Sequence, residues 1–188
     1  MNAFIQPYRR SFWETHHVIE KQGDSDPFPF LHIENWYESF IKKDVLEIGP
    51  GDGRQMFILA TMANTYSIAD ISDVVLKKHR NTAANTFLIN TWDDNFERSF
   101  DTICLWYVFH HVLDTEFESF VSFLSRHLKE NGSLVFNVPT SGQVNPDATN
   151  TTPYVINEFK AKMLKLNYET EHEFDQKYNN YVFKMVKI

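Results

Sequence analysis

The run Leu46-Glu47-Ile48-Gly49-Pro50-Gly51-Asp52-Gly53 constrains this chain more than any other stretch. Three of its 6 glycines sit here at alternate positions, directly after an apolar run. Glycine adopts positive φ freely and lets another group come close to the backbone. DVLEIG reads as a short strand, and RQMFILATMAN (54–64) can continue as helix, so the turn joins a strand to a helix. A plain tight turn is the bland alternative, and the glycine density argues against it. In a sheet wound with helices, ligands bind beyond the carboxyl ends of the strands, and this turn lies at such an end.

The rest of the chain supports a wound sheet. TYSIADI (65–71) and TFLIN (86–90) read as further strands, with Ser72 as a candidate N-cap for the helix SDVVLKKHRNTA between them. FDTICLWYV (100–108) is nearly all apolar, as a strand buried on both faces should be. Phe117, Phe120, Val121, Leu124 and Leu128 form one helical stripe, and Asn131-Gly132 supplies a stop before a fifth strand, SLVFNVP (133–139). Pro153 suits a helix start, with Ile156, Phe159, Met163 and Leu166 on one face. YETEHEFD and YVFKMVKI then follow with too little chain between them for a parallel crossover, so they form an antiparallel hairpin. The predicted fold is α/β: a three-layer, doubly wound, mostly parallel sheet ending in that hairpin.

The first 43 residues differ in character and are expected to form a helical lid or substrate cap, with residues 44–188 as the cofactor-binding unit of one globular domain. Ser11 and Glu14 fit a capping box for FWETHHVIEKQ, DPFPF (26–30) breaks the chain, and ENWYESFIKK (34–43) reads as a second short helix with Trp36, Phe40 and Ile41 on its apolar side.

Asp70 ends the second strand, where a carboxylate can accept both hydrogens of a ribose diol; capping the next helix is its alternative role. Asn90, Thr91, Trp92 and Asp93 follow the third strand and pair polar side chains with an aromatic face, which suits adenine. The spacing is G-x-G-x-G, with Arg54 where a dinucleotide fingerprint wants its third glycine, and there is no G-K-S/T of a P-loop.

These residues together resemble the class I S-adenosylmethionine-dependent methyltransferases over about residues 44–188. VLEIGPGDG matches that family's acidic-x-G-x-G-x-G loop, IADIS its second-strand acid and helix start, and FDTICLWYVFHHVLD its fourth-strand segment. The resemblance implies a seven-stranded sheet and S-adenosyl-L-methionine as cofactor. It places the methionine portion on Glu47 and the backbone of Gly49 and Gly51, with Gly53 a further cofactor-binding residue. It places the ribose on Asp70 beside Ile71, and the adenine among Asn90, Thr91 and Trp92. The family often has an acid where Asn90 stands, so Asp93 is a substitute candidate. Trp106 and Tyr107 bring aromatic faces that suit a sulfonium cation.

Methyl transfer to a hydroxyl is helped by a general base. His110 follows the fourth strand at a position variable in the family, and a solvent-facing loop histidine is its commoner fate. His111 aligns with a histidine common across the family and is read as structural. His17, on the N-terminal helix near His16, and Tyr107 are the other catalytic candidates. No histidine pair has the helical spacing of a zinc site, so no metal is expected. The polar stretch TSGQVNPDATNT is long for a link and suits a functional loop.

The net charge of −7 gives no basic footprint for nucleic acid, so a small-molecule methyl acceptor on oxygen or nitrogen is expected. A cofactor-binding protein without catalysis is the alternative, and a nicotinamide oxidoreductase suffers from the glycine spacing. Cys104 lies in an apolar run as an inert thiol, and no leader or membrane-spanning run is read, so a cytoplasmic monomer or homodimer is expected.

Overall fold

The computed structural model describes Arg10, Glu14 and residues 36–139, 156–175 and 180–187. Seven strands form one sheet in the order β3-β2-β1-β4-β5-β7-β6. They are β1 (Asp44–Ile48), β2 (Thr65–Asp70), β3 (Asn85–Leu88), β4 (Phe100–Leu105), β5 (Leu128–Pro139), β6 (Tyr168–Asp175) and β7 (Asn180–Lys187). Pairing is parallel from β3 across to β5, and antiparallel where β7 meets β5 and β6. The expected parallel sheet with a terminal hairpin is therefore the observed one. Its direction of winding reverses between β1 and β4, which opens a crevice at their carboxyl ends.

Period-two alternation sends the two sides of each strand into separate cores. Leu46 and Ile48 of β1 join Ile103, Leu105, Leu134 and Phe136 under α3 (Phe117–His127) and α4 (Ile156–Lys165). Val45 joins Tyr66, Ile68 and Cys104 under α1 (Met56–Met62) and α2 (Asp73–His79). The first core is a cluster of rings: Phe109 meets Phe120 edge-on at 5.2 Å and Phe159 at 5.4 Å, and Phe136 stacks on Phe183 at 5.2 Å. Aromatics thus serve the core before they serve any ligand. Cys104 is fully buried, with its thiol pKa pushed up by burial, in keeping with an inert role.

Four local expectations are corrected by tertiary contacts. Within the stretch 34–43, the described residues 36–43 form only a 3-10 turn at Tyr37–Ser39, because Lys42 adopts φ 55° and donates its N–H to Met62 O, steering the chain into β1. Phe40 still buries fully, and Thr102 Oγ1 donates to Ser39 O to tie the turn to β4. The fourth strand stops at Leu105, because Tyr107 turns the chain at φ 57°. The third strand ends at Leu88, although Ile89 N–H still reaches Asp70 O at 2.9 Å. Helix α3 ends at His127 rather than at Asn131-Gly132, because Leu128 is already extended and pairs with Phe100. Asn131, at φ 60°, lies in the irregular stretch before Ser133 pairs with Thr102.

The N-terminal capping box, His16, His17 and the loop 140–152 fall outside the described residues, apart from the helical backbone of Arg10 and Glu14. Among the described residues no helix is long and apolar enough to cross a membrane.

Candidate active site

The glycine turn closes the carboxyl end of β1, and all three of its glycines have positive φ: 67° at Gly49, 53° at Gly51 and 82° at Gly53. Two of them also lack room for a side chain. A Cβ on Gly49 would lie 2.6 Å from Val108 Cγ2, and one on Gly53 would lie 2.7 Å from His79 Cε1. The first contact joins the ends of β1 and β4 across the switch point. The second is explained by His79, which sits beneath the loop with its Nε2 2.8 Å from the Gly51 carbonyl. Burial lowers the His79 pKa, so the neutral ring donates this bond at ordinary pH.

Glu47 lies on the β1 face shared with Val45 and is 1% exposed. Tyr66 Oη donates to its Oε2, and burial raises the carboxyl pKa to about 7. Burial and the Glu47 charge in turn push the Tyr66 phenol well above its ordinary value, which leaves it a donor. Asp70 ends β2 as expected, and its Oδ1 accepts from Ser72 N–H at 2.7 Å. Ser72 is the N-cap of α2, its Oγ accepting from Val75 N–H at 3.4 Å, so the capping role belongs to Ser72. Burial raises Asp70 to about 7, partly offset by the N–H groups of Ser72 and Ile71.

The corner beyond β3 is held from within. Asp94 accepts from Asn90 N–H at 2.6 Å, from Thr91 N–H at 3.3 Å and from the Thr91 hydroxyl at 3.0 Å. Arg126 donates to the Asp94 carbonyl at 2.9 Å. Trp92 is turned into the core, edge-on to Phe120 at 4.8 Å and Phe123 at 5.7 Å, and its Nε1 has no hydrogen-bond partner among the described residues. Asp93 donates its N–H to Thr91 Oγ1, and its side chain faces outward with Asn90.

Beyond β4 the chain is strained. Tyr107 is a bulky residue in the left-handed region, a conformation that costs about 1–3 kcal/mol. Its N–H donates to Asn137 Oδ1 at 2.6 Å, and Asn137 is fully buried in β5. That bond holds the turn which delivers Trp106, buried in the second core, and His110. His110 is not the solvent-facing residue expected of a loop histidine: it is 9% exposed, in a 3-10 turn, edge-on to Tyr107 at 6.0 Å and 3.9 Å from the His111 ring. Among the described residues its Nδ1 has no partner, and burial beside His111 lowers its pKa to about 3. The site therefore brings Glu47, the glycines, Asp70, Trp106, Tyr107 and His110 to one end of the sheet. His17 lies outside the described residues.

Sequence reasoning missed four participants. Asn137 had a signal, since it interrupts the apolar run SLVFNVP. Gln55, 2% exposed with neither amide atom partnered among the described residues, follows the last glycine by two positions. Tyr66 and His79 gave no local signal at all, because their partners lie 19 and 28 positions away.

The fold and this crevice define a class I methyltransferase architecture. The methyltransferase-domain family matches residues 31–187, and the chain belongs to that family of S-adenosylmethionine-dependent enzymes. No curated protein matches significantly. Among solved structures, a DhpI-SAM-HEP complex superposes with a TM-score of 0.74 at 15% identity, over 96% of either chain. The SAH complex of magnesium protoporphyrin IX methyltransferase (ChlM) from Synechocystis PCC 6803 gives 0.68 at 14% identity, over 96% of this chain and 99% of that one. The SAH complex of N-methyltransferase NodS from Bradyrhizobium japonicum WM9 gives 0.69 at 15% identity, over 93% and 98%. At such identities these likenesses speak for the fold.

Proposed function

We propose that this enzyme transfers a methyl group from S-adenosylmethionine to an oxygen or nitrogen of a small molecule in the cytoplasm. The observation that carries the cofactor half is the contact between Gly49 and Val108: the β1 loop is pressed against the β4 end so closely that only backbone fits. A cradle of positive-φ glycines, with a buried carboxylate one strand away, suits a nucleoside whose ribose needs two acceptors. Glu47 and the backbone of Gly49, Gly51 and Gly53 are assigned to the methionine portion, and the buried, unpartnered amide of Gln55 to the same end. Asp70 with Ile71 takes the ribose. Asn90, Thr91 and Asp93 are assigned to the adenine corner, Asn90 and Asp93 through outward side chains, while Trp92 backs that corner from the core.

The cofactor supplies an electrophilic methyl group on a sulfonium. The chain has to align an acceptor with it, exclude water and accommodate the proton an O–H or N–H acceptor releases. His110 meets the first need with a neutral imidazole whose unpartnered Nδ1 can hydrogen-bond an acceptor's O–H or N–H. Trp106 and Tyr107 offer ring faces to positive charge. Residues 1–43 and the loop 140–152 are assigned to acceptor specificity, and His17 belongs with them.

Calorimetric titration with S-adenosylmethionine, S-adenosylhomocysteine and NAD tests the reading. Both sulfur compounds should bind and NAD should not. Binding of NAD alone would overturn it.

A further inference from the structure

Just after β3, Ile89 and Asn90 have four of their polar groups committed. Ile89 N–H donates to Asp70 O at 2.9 Å, and its carbonyl accepts from Arg10 Nη2 at 2.8 Å. Asn90 N–H donates to Asp94 Oδ2 at 2.6 Å, and its side-chain Oδ1 accepts from the same Arg10 nitrogen at 3.2 Å. Arg10 thus reaches across 79 and 80 positions to the corner assigned to adenine.

A guanidinium has donors only. The atom of Asn90 that faces it must be the oxygen, and turning the amide over would set an –NH2 against five N–H groups. Nδ2 is the group this exposed side chain then has to offer a ligand. Adenine carries an acceptor at ring N1 and a donor at its exocyclic amine. A carboxylate, which the family often has here, would accept from the amine. A locked asparagine does the reverse.

We propose that Arg10 is a specificity-determining positioning residue: it locks Asn90 so that a hydrogen-bond donor meets the adenine edge, which is then read through its ring nitrogen. This rests on the assignment of the β3 end to adenine. A 1-deazaadenine base carries a C–H in place of ring N1 and keeps the exocyclic amine, so the locked Nδ2 loses its acceptor and gains none in exchange.

The test compares binding of S-adenosylhomocysteine and its 1-deazaadenine analogue by calorimetry. The wild-type protein should prefer the adenine compound by about tenfold or more. In Arg10→Ala the amide is free to turn over, and the preference should shrink to within about threefold, a larger change in the ratio than overall loss of affinity would produce. Arg10→Lys also only donates, so it should keep the preference even where affinity falls. Asn90→Ala should lose the preference without touching Arg10, which covers the case in which Arg10→Ala does not fold. An unchanged ratio in Arg10→Ala or Asn90→Ala, or a ratio lost equally in Arg10→Lys, overturns the lock while leaving the cofactor assignment standing. Failure of the wild-type protein to bind either compound overturns both.

Discussion

The two sides of the crevice handle burial in opposite ways. On the β1–β2 side the buried groups are acids, and both have hydrogen-bond donors: Glu47 has Tyr66, and Asp70 has Ser72. Burial raises each to about 7, so near neutrality both are poised between charged and uncharged. On the β4 side the buried group is a base, His110, whose Nδ1 lacks a partner among the described residues and whose pKa falls to about 3. A cation arriving in this crevice favours ionisation of the acids and reinforces the neutrality of the histidine. One side is therefore built to answer positive charge, and the other to offer an uncharged nitrogen. The backbone divides in a different way: positive φ falls on glycines beside β1, but on Tyr107 beside β4, where a buried Asn137 has to hold it.

The sharpest way to break this contrast is to fill the glycine side. Gly49→Ala places a methyl group 2.6 Å from Val108 Cγ2 at a φ of 67°, and should weaken S-adenosylhomocysteine binding about a hundredfold, or roughly 2.7 kcal/mol. Adding Val108→Ala should return part of that loss, since it relieves the clash but not the dihedral. Calorimetry that showed no rescue would place the cost elsewhere. A smaller effect is expected from Asp70→Ala, a loss of more than about tenfold, or about 1.4 kcal/mol. Unchanged affinity would remove Asp70 from the ribose.

The effects with the least bearing on cofactor affinity concern pH, and their signs are opposed. Glu47 has a raised pKa when folded, so its contribution to stability is full below about 4.5 and is lost as the pH rises through about 7. His110 has a lowered one, so its contribution is full above about 6.5 and is lost as the pH falls toward about 3. Denaturation measured across pH should show Glu47→Gln flattening the first slope and His110→Gln the second, each by a few kcal/mol at most, since one pK unit is about 1.4 kcal/mol. Both variants flattening the same limb would contradict the contrast.

Much of the architecture was legible in local pattern. All seven strands, the alternation with helices and the antiparallel hairpin were readable from periods of two and 3.6 and from connection length. Boundaries were less so. The helix stop expected at Asn131-Gly132 gave way because Leu128 found a strand partner in Phe100, and the strand expected to reach Val108 ended early because Asn137 captured the Tyr107 N–H. Neither partner is near in sequence.

The site divides along the same line. The sequence by itself determined the glycine turn, the acid at the end of β2 and the Ser72 cap, because φ preference, strand termini and capping are properties of a few consecutive residues. Only the tertiary structure decided that Trp92 points into the core, that His110 is buried, that His79 supports the loop from below and that Arg10 grips Asn90. Each of these depends on elements brought together from many positions apart, where the energy of burial and of pairing is set by neighbours that no local run of residues contains.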